Sequence, residues 1–230
     1  MNLIKYHDLM KILSSTLDFL KNLKENNSRE WFMEHKIAYE NAKDNFKSFV
    51  HELLKQLTPL EEQFGTMRAE ETMFRIHRDV RFSKDKSPYK THWSAYFCKG
   101  GKNSELAGYY IHIEPDANYF VGGGKWMPQG DLLKKIRQEI DYNIDEFLHI
   151  IENTDFKKYF GELEGDRLKT VPKGYAKDHP YLSLIQLKSF IASSSFTEQE
   201  VLSDNFSKLV IERFNAMKPL IDFLNQAMEG

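Results

Sequence analysis

The sequence predicts an α+β fold, with a central, mainly antiparallel sheet over roughly residues 73–122 flanked by N- and C-terminal helices. Three observations predict it. Apolar residues recur at helical intervals in the first and last thirds of the chain. In the middle the period drops to two, as in strands with one buried face. Turn-forming residues separate the alternating runs at hairpin spacing. Neither a repeat nor a Pro/Gly/Ser-rich linker divides the chain, so a single domain over 1–230 is expected.

The elements follow in order. Residues 16–24 place Leu17, Leu20 and Leu23 at helical spacing beside Phe19, and Asn26-Asn27 stops the pattern. Ser28 is a suitable N-cap for a long second helix that carries Trp31, Phe32, Tyr39, Phe46, Phe49, Val50, Leu53 and Leu54 and ends at Thr58-Pro59. Residues 73–82 alternate, with Phe74, Ile76, Val80 and Phe82 opposite Arg75, His77, Asp79 and Arg81. Strands are also expected over 92–99 and 108–114, and the turn Pro115-Asp116-Ala117-Asn118 leads to a returning strand at 119–121. Gly122-Gly123-Gly124-Lys125 lacks the spacing of a phosphate loop and reads as a tight turn that lets Trp126 pack. Helices are expected over 131–140, over 144–152 and, shorter, after Thr154; 170–180 reads as a loop. Residues 185–195 fit a strand or a helix. Thr197-Glu198-Gln199-Glu200 is a capping box for the helical C-terminus, where Pro219 marks a break or a new first turn.

Composition narrows the function. A content of 41% hydrophobic and 13% aromatic residues supports a substantial core. The charged 29% carries both signs and nets to −2, which argues against a disordered polyelectrolyte and against bulk coating of nucleic acid. The single cysteine, Cys98, forms no intrachain disulfide and reads as a small apolar strand residue rather than a nucleophile. Charge interrupts the N-terminus too early for a secretory signal, and no apolar run approaches the roughly 20 residues of a membrane helix. A cytoplasmic protein without a membrane partner is expected; the oligomeric state stays open.

Chemistry concentrates in residues 75–90, RIHRDVRFSKDKSPYK. Six cations (Arg75, Arg78, Arg81, Lys84, Lys86 and Lys90) accompany the acids Asp79 and Asp85, with His77 and Tyr89 as further donors. Arginine forks suit phosphate and carboxylate, and lysine adds a mobile charge. By alternation Arg78 faces the core side, where a guanidinium needs an acid partner such as Asp85 or Glu114. It fixes the loop through that pair, receives a ligand, or lies at the surface on a bulge. His77-Arg78-Asp79 spells a kinase catalytic tripeptide, but Lys84 stands where the metal-binding Asn belongs and no Gly-rich loop accompanies it.

The run Phe74-Arg75-Ile76-His77-Arg78-Asp79-Val80-Arg81-Phe82-Ser83-Lys84-Asp85-Lys86-Ser87-Pro88-Tyr89-Lys90-Thr91-His92 closely resembles the signature of the family called domain of unknown function 2461. The resemblance covers nearly the whole chain. It extends through Asn26 to Phe32, Gly108 to Pro115, Gly122 to Pro128, Pro172 to Tyr175 and Asp178-His179-Pro180. His77 and Ser87 depart mildly from the Tyr-like residue and Thr expected there. The resemblance marks the segment as a signature and implies no particular activity.

The candidate ligand-binding set is therefore Arg75, Arg78, Asp79, Arg81, Lys84, Asp85, Lys86, Tyr89, Lys90, His112, Lys173 and His179, with a small anionic molecule as the expected partner. Lys173 and His179 enter because the loop around them could close over the 75–90 segment. His112 and Glu114, if they meet Arg75, His77 and Asp79 across strands, offer two histidines and a carboxylate to a cation. Spacing alone does not establish that convergence, so no metal and no cofactor is assigned. Nucleic acid is the less favoured partner, with Tyr89, Trp93 and Tyr96 as stacking surfaces. In a third reading the segment is purely structural and its charges pair with one another. No catalytic residue is nominated.

Overall fold

The computed structural model describes residues 11–116 and 118–230. The stretch read as lacking a secretory signal falls on residues 1–10 and lies outside the described residues, as does Ala117 of the turn. The chain runs α1 (Ser14–Glu25), α2 (Arg29–Glu34), α3 (Lys36–Leu57), a 3-10 turn (Glu62–Thr66), α4 (Ala69–Thr72), β1 (Trp93–Phe97), β2 (Gly108–Glu114) and β3 (Asn118–Lys125). It continues with α5 (Gly130–Tyr142), α6 (Ile144–Ile151), α7 (Thr154–Phe160), α8 (Leu182–Ile185), β4 (Phe190–Phe196), α9 (Glu198–Val201) and α10 (Phe206–Glu229). The strands form one antiparallel sheet in the order β1-β2-β3-β4, so the fold is α+β.

Two compact units interleave along the chain. The first comprises Met1–Phe97, Tyr110–Val121 and Ser195–Glu212, and the second Cys98–Tyr109, Gly122–Ser194 and Arg213–Gly230. In the first unit, α1 buries Leu17, Phe19, Leu20 and Leu23, and α3 buries Phe46, Phe49, Val50 and Leu53. Asn45 joins the two segments by accepting from the Leu13 N–H (3.0 Å) and the Thr16 hydroxyl (2.8 Å). Trp93 lies parallel to Tyr39 and Phe46, with ring centroids 5.9 and 5.8 Å away. The second unit buries Ile136 and Ile140 of α5, Phe147 of α6, Phe156 of α7, Phe190 of β4, and Met217, Leu220 and Leu224 of α10.

Several sequence expectations are corrected. The segment 73–82 is not a strand. Its pairings are the isolated bridges Met73↔Ala95 and His77↔Tyr89, supported by Phe74 N–H to Ser94 O (3.0 Å), Arg78 N–H to Pro88 O (2.9 Å) and Lys90 N–H to Ile76 O (2.7 Å). Pro88 has no N–H with which to continue a ladder. Phe82, assigned to the inward face, is 96% exposed. The sheet therefore begins at Trp93 and gains β4, outside the span of 73–122.

The second helix divides at His35. Ser28 caps α2 by accepting from the Trp31 N–H (3.2 Å), while the His35 ring stacks on Trp31 (4.1 Å) and its Nδ1 lies 2.9 Å from the Trp31 carbonyl. Gly122-Gly123-Gly124 is not a turn but the end of β3. At Gly124, φ is 114° and a Cβ would sit 1.9 Å from the Phe190 carbonyl oxygen, so glycine is what permits β4 to approach. Trp126 is exposed rather than packed. Pro219 lies within α10, which continues through it. The ambiguous 185–195 stretch resolves into the end of α8 followed by β4.

Candidate functional site

The 75–90 segment is largely an internally paired loop. Arg78 binds Asp85, donates to the Ser87 carbonyl (3.1 Å) and reaches Ser83 Oγ (3.4 Å). Asp85 in turn accepts the Ser87 hydroxyl (2.7 Å) and N–H (2.9 Å). The Ser87 bonds first, then Arg78, hold its carboxyl down at about 2. Arg81 forks onto Asp79, with contacts from 2.7 to 3.3 Å, and this contact holds the Asp79 carboxyl below its usual range. Lys86 donates to the Val80 carbonyl (3.0 Å). Tyr89 is buried against Phe32 (centroids 3.9 Å apart), and its N–H and carbonyl are both engaged by Asn27. These contacts account for Arg78, Asp79, Arg81, Asp85, Lys86 and Tyr89 as parts that fix the loop. Tyr89 and Trp93, two of the stacking surfaces named for nucleic acid, are core residues.

Three cations differ. Arg75, Lys84 and Lys90 form no ion pair with a carboxylate among the described residues. Lys84 and Arg75 are exposed, and Arg75 acts on Asp79 only through space. Lys90 is half-buried, with its ammonium 5.3 Å from the centre of the Phe74 ring. Burial, and then the like charge of Arg75, push its pKa down.

Beside Lys90 the sheet carries a polar cluster. Strand β2 sends Tyr109, Ile111 and Ile113 into the core, which leaves Tyr110, His112 and Glu114 on the other face. From the start of β1, His92 comes beside His112, with ring centroids 4.3 Å apart, and Phe120 of β3 stacks on His112 at 4.9 Å. One ligand atom from each of His92, His112 and Glu114 lies within 4.8 Å of the others. His112 Nε2 is 3.3 Å from Glu114 Oε2, and its Nδ1 is 3.0 Å from the Tyr110 hydroxyl. Thr91 donates to Glu114 Oε1 (2.7 Å) and Asn118 to Oε2 (2.7 Å).

Burial sets the protonation states here. It lowers His92 to about 4, helped by His112 and by Lys90, and it lowers His112 as well. Burial alone would raise Glu114, but hydrogen bonds from Thr91, Asn118 and His112 outweigh it and hold the carboxyl below its usual value. The cluster therefore presents two neutral imidazoles and a carboxylate at neutral pH. Of its members only His112 belongs to the candidate set drawn from the sequence. Glu114 enters there as a conditional ligand, with His77 as the expected second imidazole. His77 instead packs against Tyr89 and Phe32. His92 escapes the sequence reading; the alternation inward from Trp93 marks it as facing away from the core, but the β1–β2 register that brings it to His112 is not written in either strand.

Lys173 and His179 belong to the second unit. Lys173 is exposed beside the turn at Gly174. His179 Nδ1 accepts the Tyr181 N–H (3.2 Å), so its Nε2–H donates to Asp141 (2.8 Å). On the same helix as Asp141, Arg137 is buried, donates to the Leu187 carbonyl (3.1 Å) and leaves its Nε without a partner. No helix among the described residues is long and apolar enough to cross a membrane.

No curated protein and no solved structure matches the chain. The family model does match, over residues 15–223, a span that holds the paired 75–90 loop and the His92–His112–Glu114 cluster alike. The chain therefore belongs to the family described as conserved hypothetical protein (DUF2461).

Proposed function

We propose that the protein binds a small anionic ligand, bearing a phosphate or carboxylate, at the sheet face beside His112, and that Lys90 with Arg75 receives it. One observation carries this reading. Lys90 is a half-buried cation that repels a neighbouring arginine and has no carboxylate partner among the described residues. Burying a charge under those conditions is unfavourable, and a bound anion relieves both the desolvation and the repulsion. The rest of the 75–90 segment plays a supporting part. Arg78, Arg81 and Lys86 are taken up by Asp85, Asp79 and a backbone carbonyl, which fixes the loop that carries Lys90.

The test is a calorimetric titration with inorganic phosphate and pyrophosphate. Saturable binding is expected. Lys90→Ala should weaken it about tenfold or more, the scale of one charge-assisted hydrogen bond. Arg75→Ala should weaken it less, and Arg81→Ala, whose fork is already occupied, should leave it unchanged. Absence of saturable binding, or equal loss in all three variants, sinks the reading.

A further inference from the structure

We infer that His92, His112 and Glu114 are the protein ligands of one first-row divalent cation, zinc in the first place. This inference goes beyond the anionic ligand and does not depend on it. Two imidazole nitrogens and one carboxylate oxygen are a donor set for zinc and its neighbours in the first transition row; magnesium and calcium favour oxygen alone. Donors around a tetrahedral zinc stand about 3.3 Å apart, given bond lengths of about 2.0–2.2 Å. His112 Nε2 and Glu114 Oε2 already have that spacing, at 3.3 Å. All three donors fall within 4.8 Å of one another.

The surroundings orient the donors as a metal site requires. The Tyr110 hydroxyl lies 3.0 Å from His112 Nδ1, so Nδ1–H can donate to it in the tautomer that turns Nε2 from a donor to Glu114 into a metal ligand. The Thr91 hydroxyl holds Glu114 Oε1 (2.7 Å) and leaves Oε2 directed at the cluster. Phe120 fixes the plane of the His112 ring by stacking. All three ligands stand on or beside two neighbouring strands, so the set is anchored in sheet backbone.

Asn118 supplies the most direct indication. Its amide nitrogen lies 2.7 Å from Glu114 Oε2 and 3.4 Å from His112 Nε2, within reach of two of the proposed ligand atoms. A partial positive charge on the amide hydrogens thus stands where a cation would be favoured. Asn118 is exposed at the start of β3, so its side chain can swing away. Three protein ligands leave at least one coordination position open to water or to an anionic oxygen, and Lys90 is near enough to act through space on both histidines.

The experiment uses the full chain, freed of metal by a chelator and dialysed into phosphate-free buffer, then titrated with zinc alone by calorimetry. Cobalt(II) replaces zinc in a parallel titration followed by visible absorption. One saturable site per chain is expected, with a rise in unfolding temperature and the visible bands of a nitrogen- and oxygen-ligated cobalt ion. Glu114→Gln and His92→Asn should each weaken binding about a hundredfold. Tyr110→Phe should weaken it about tenfold, as the loss of an orienting partner does. His92, half-buried at a strand end, keeps the test available should Glu114→Gln fail to fold. No saturable zinc binding, or binding unchanged in both ligand variants, overturns the inference. Zinc binding without a phosphate response supports the metal site and counts against the anionic ligand; phosphate binding without zinc binding does the reverse.

Discussion

Asp85 shows what a single carboxylate does in this chain. Its pKa lies at about 2 in the folded protein against 3.8 for an unperturbed aspartate, because Ser87 and Arg78 favour the charged form. A depressed folded value means that the carboxylate's stabilising contribution is fully present above the unfolded value and is lost as pH falls through about 2. The loop should therefore stay locked at mildly acid pH and loosen between about 4 and about 2, seen as faster proteolysis by an acid protease or as Asp85 titration by NMR. Asp85→Asn should loosen the loop at neutral pH and abolish that acid step. Cys98 offers a second test at the same scale. It is 1% exposed, with its sulfur 3.5 Å from the Ala107 carbonyl, so a thiol reagent should modify it only after unfolding. Rapid labelling of the native protein would contradict that packing.

At the scale of the element, Gly124 and Thr197 make contrasting predictions. Gly124→Ala introduces a methyl group 1.9 Å from the Phe190 carbonyl at a backbone angle that L-residues avoid. It should cost about 3 kcal/mol or more in a denaturant titration. Gly101→Ala also has positive φ but open space around the new methyl, and should cost about 1 kcal/mol. Thr197 accepts from the Glu200 N–H (3.2 Å) while Glu200 accepts from the Thr197 N–H (2.7 Å), so Thr197→Ala should cost about 1 kcal/mol. The capping box was legible because it is a local pattern of four residues. The 73–82 segment was not, because alternation is a necessary mark of a strand and not a sufficient one. Its hydrogen bonds go in part to Pro88 and Ser94 across a loop, and that division depends on residues far from the alternating run.

For the whole molecule, no linker was visible because the compact units are not consecutive. Each is assembled from three separate stretches of chain, and a boundary of that kind leaves no Pro/Gly-rich signal. Near-balanced charge also acts at this scale. With a net charge of −2, the protein should be retained weakly on a DNA or heparin column and elute below physiological salt. By itself the sequence determined the α+β class, most helices, the strands β1 and β2, the family and the chemical prominence of residues 75–90. Those follow from local periodicity, capping chemistry and motif order. Only the tertiary structure decided which charges are already paired, that Lys90 has no acid partner among the described residues, and that His92 rather than His77 stands beside His112 and Glu114. Strand register and loop closure fix those contacts, and both are set by packing between residues distant in the chain.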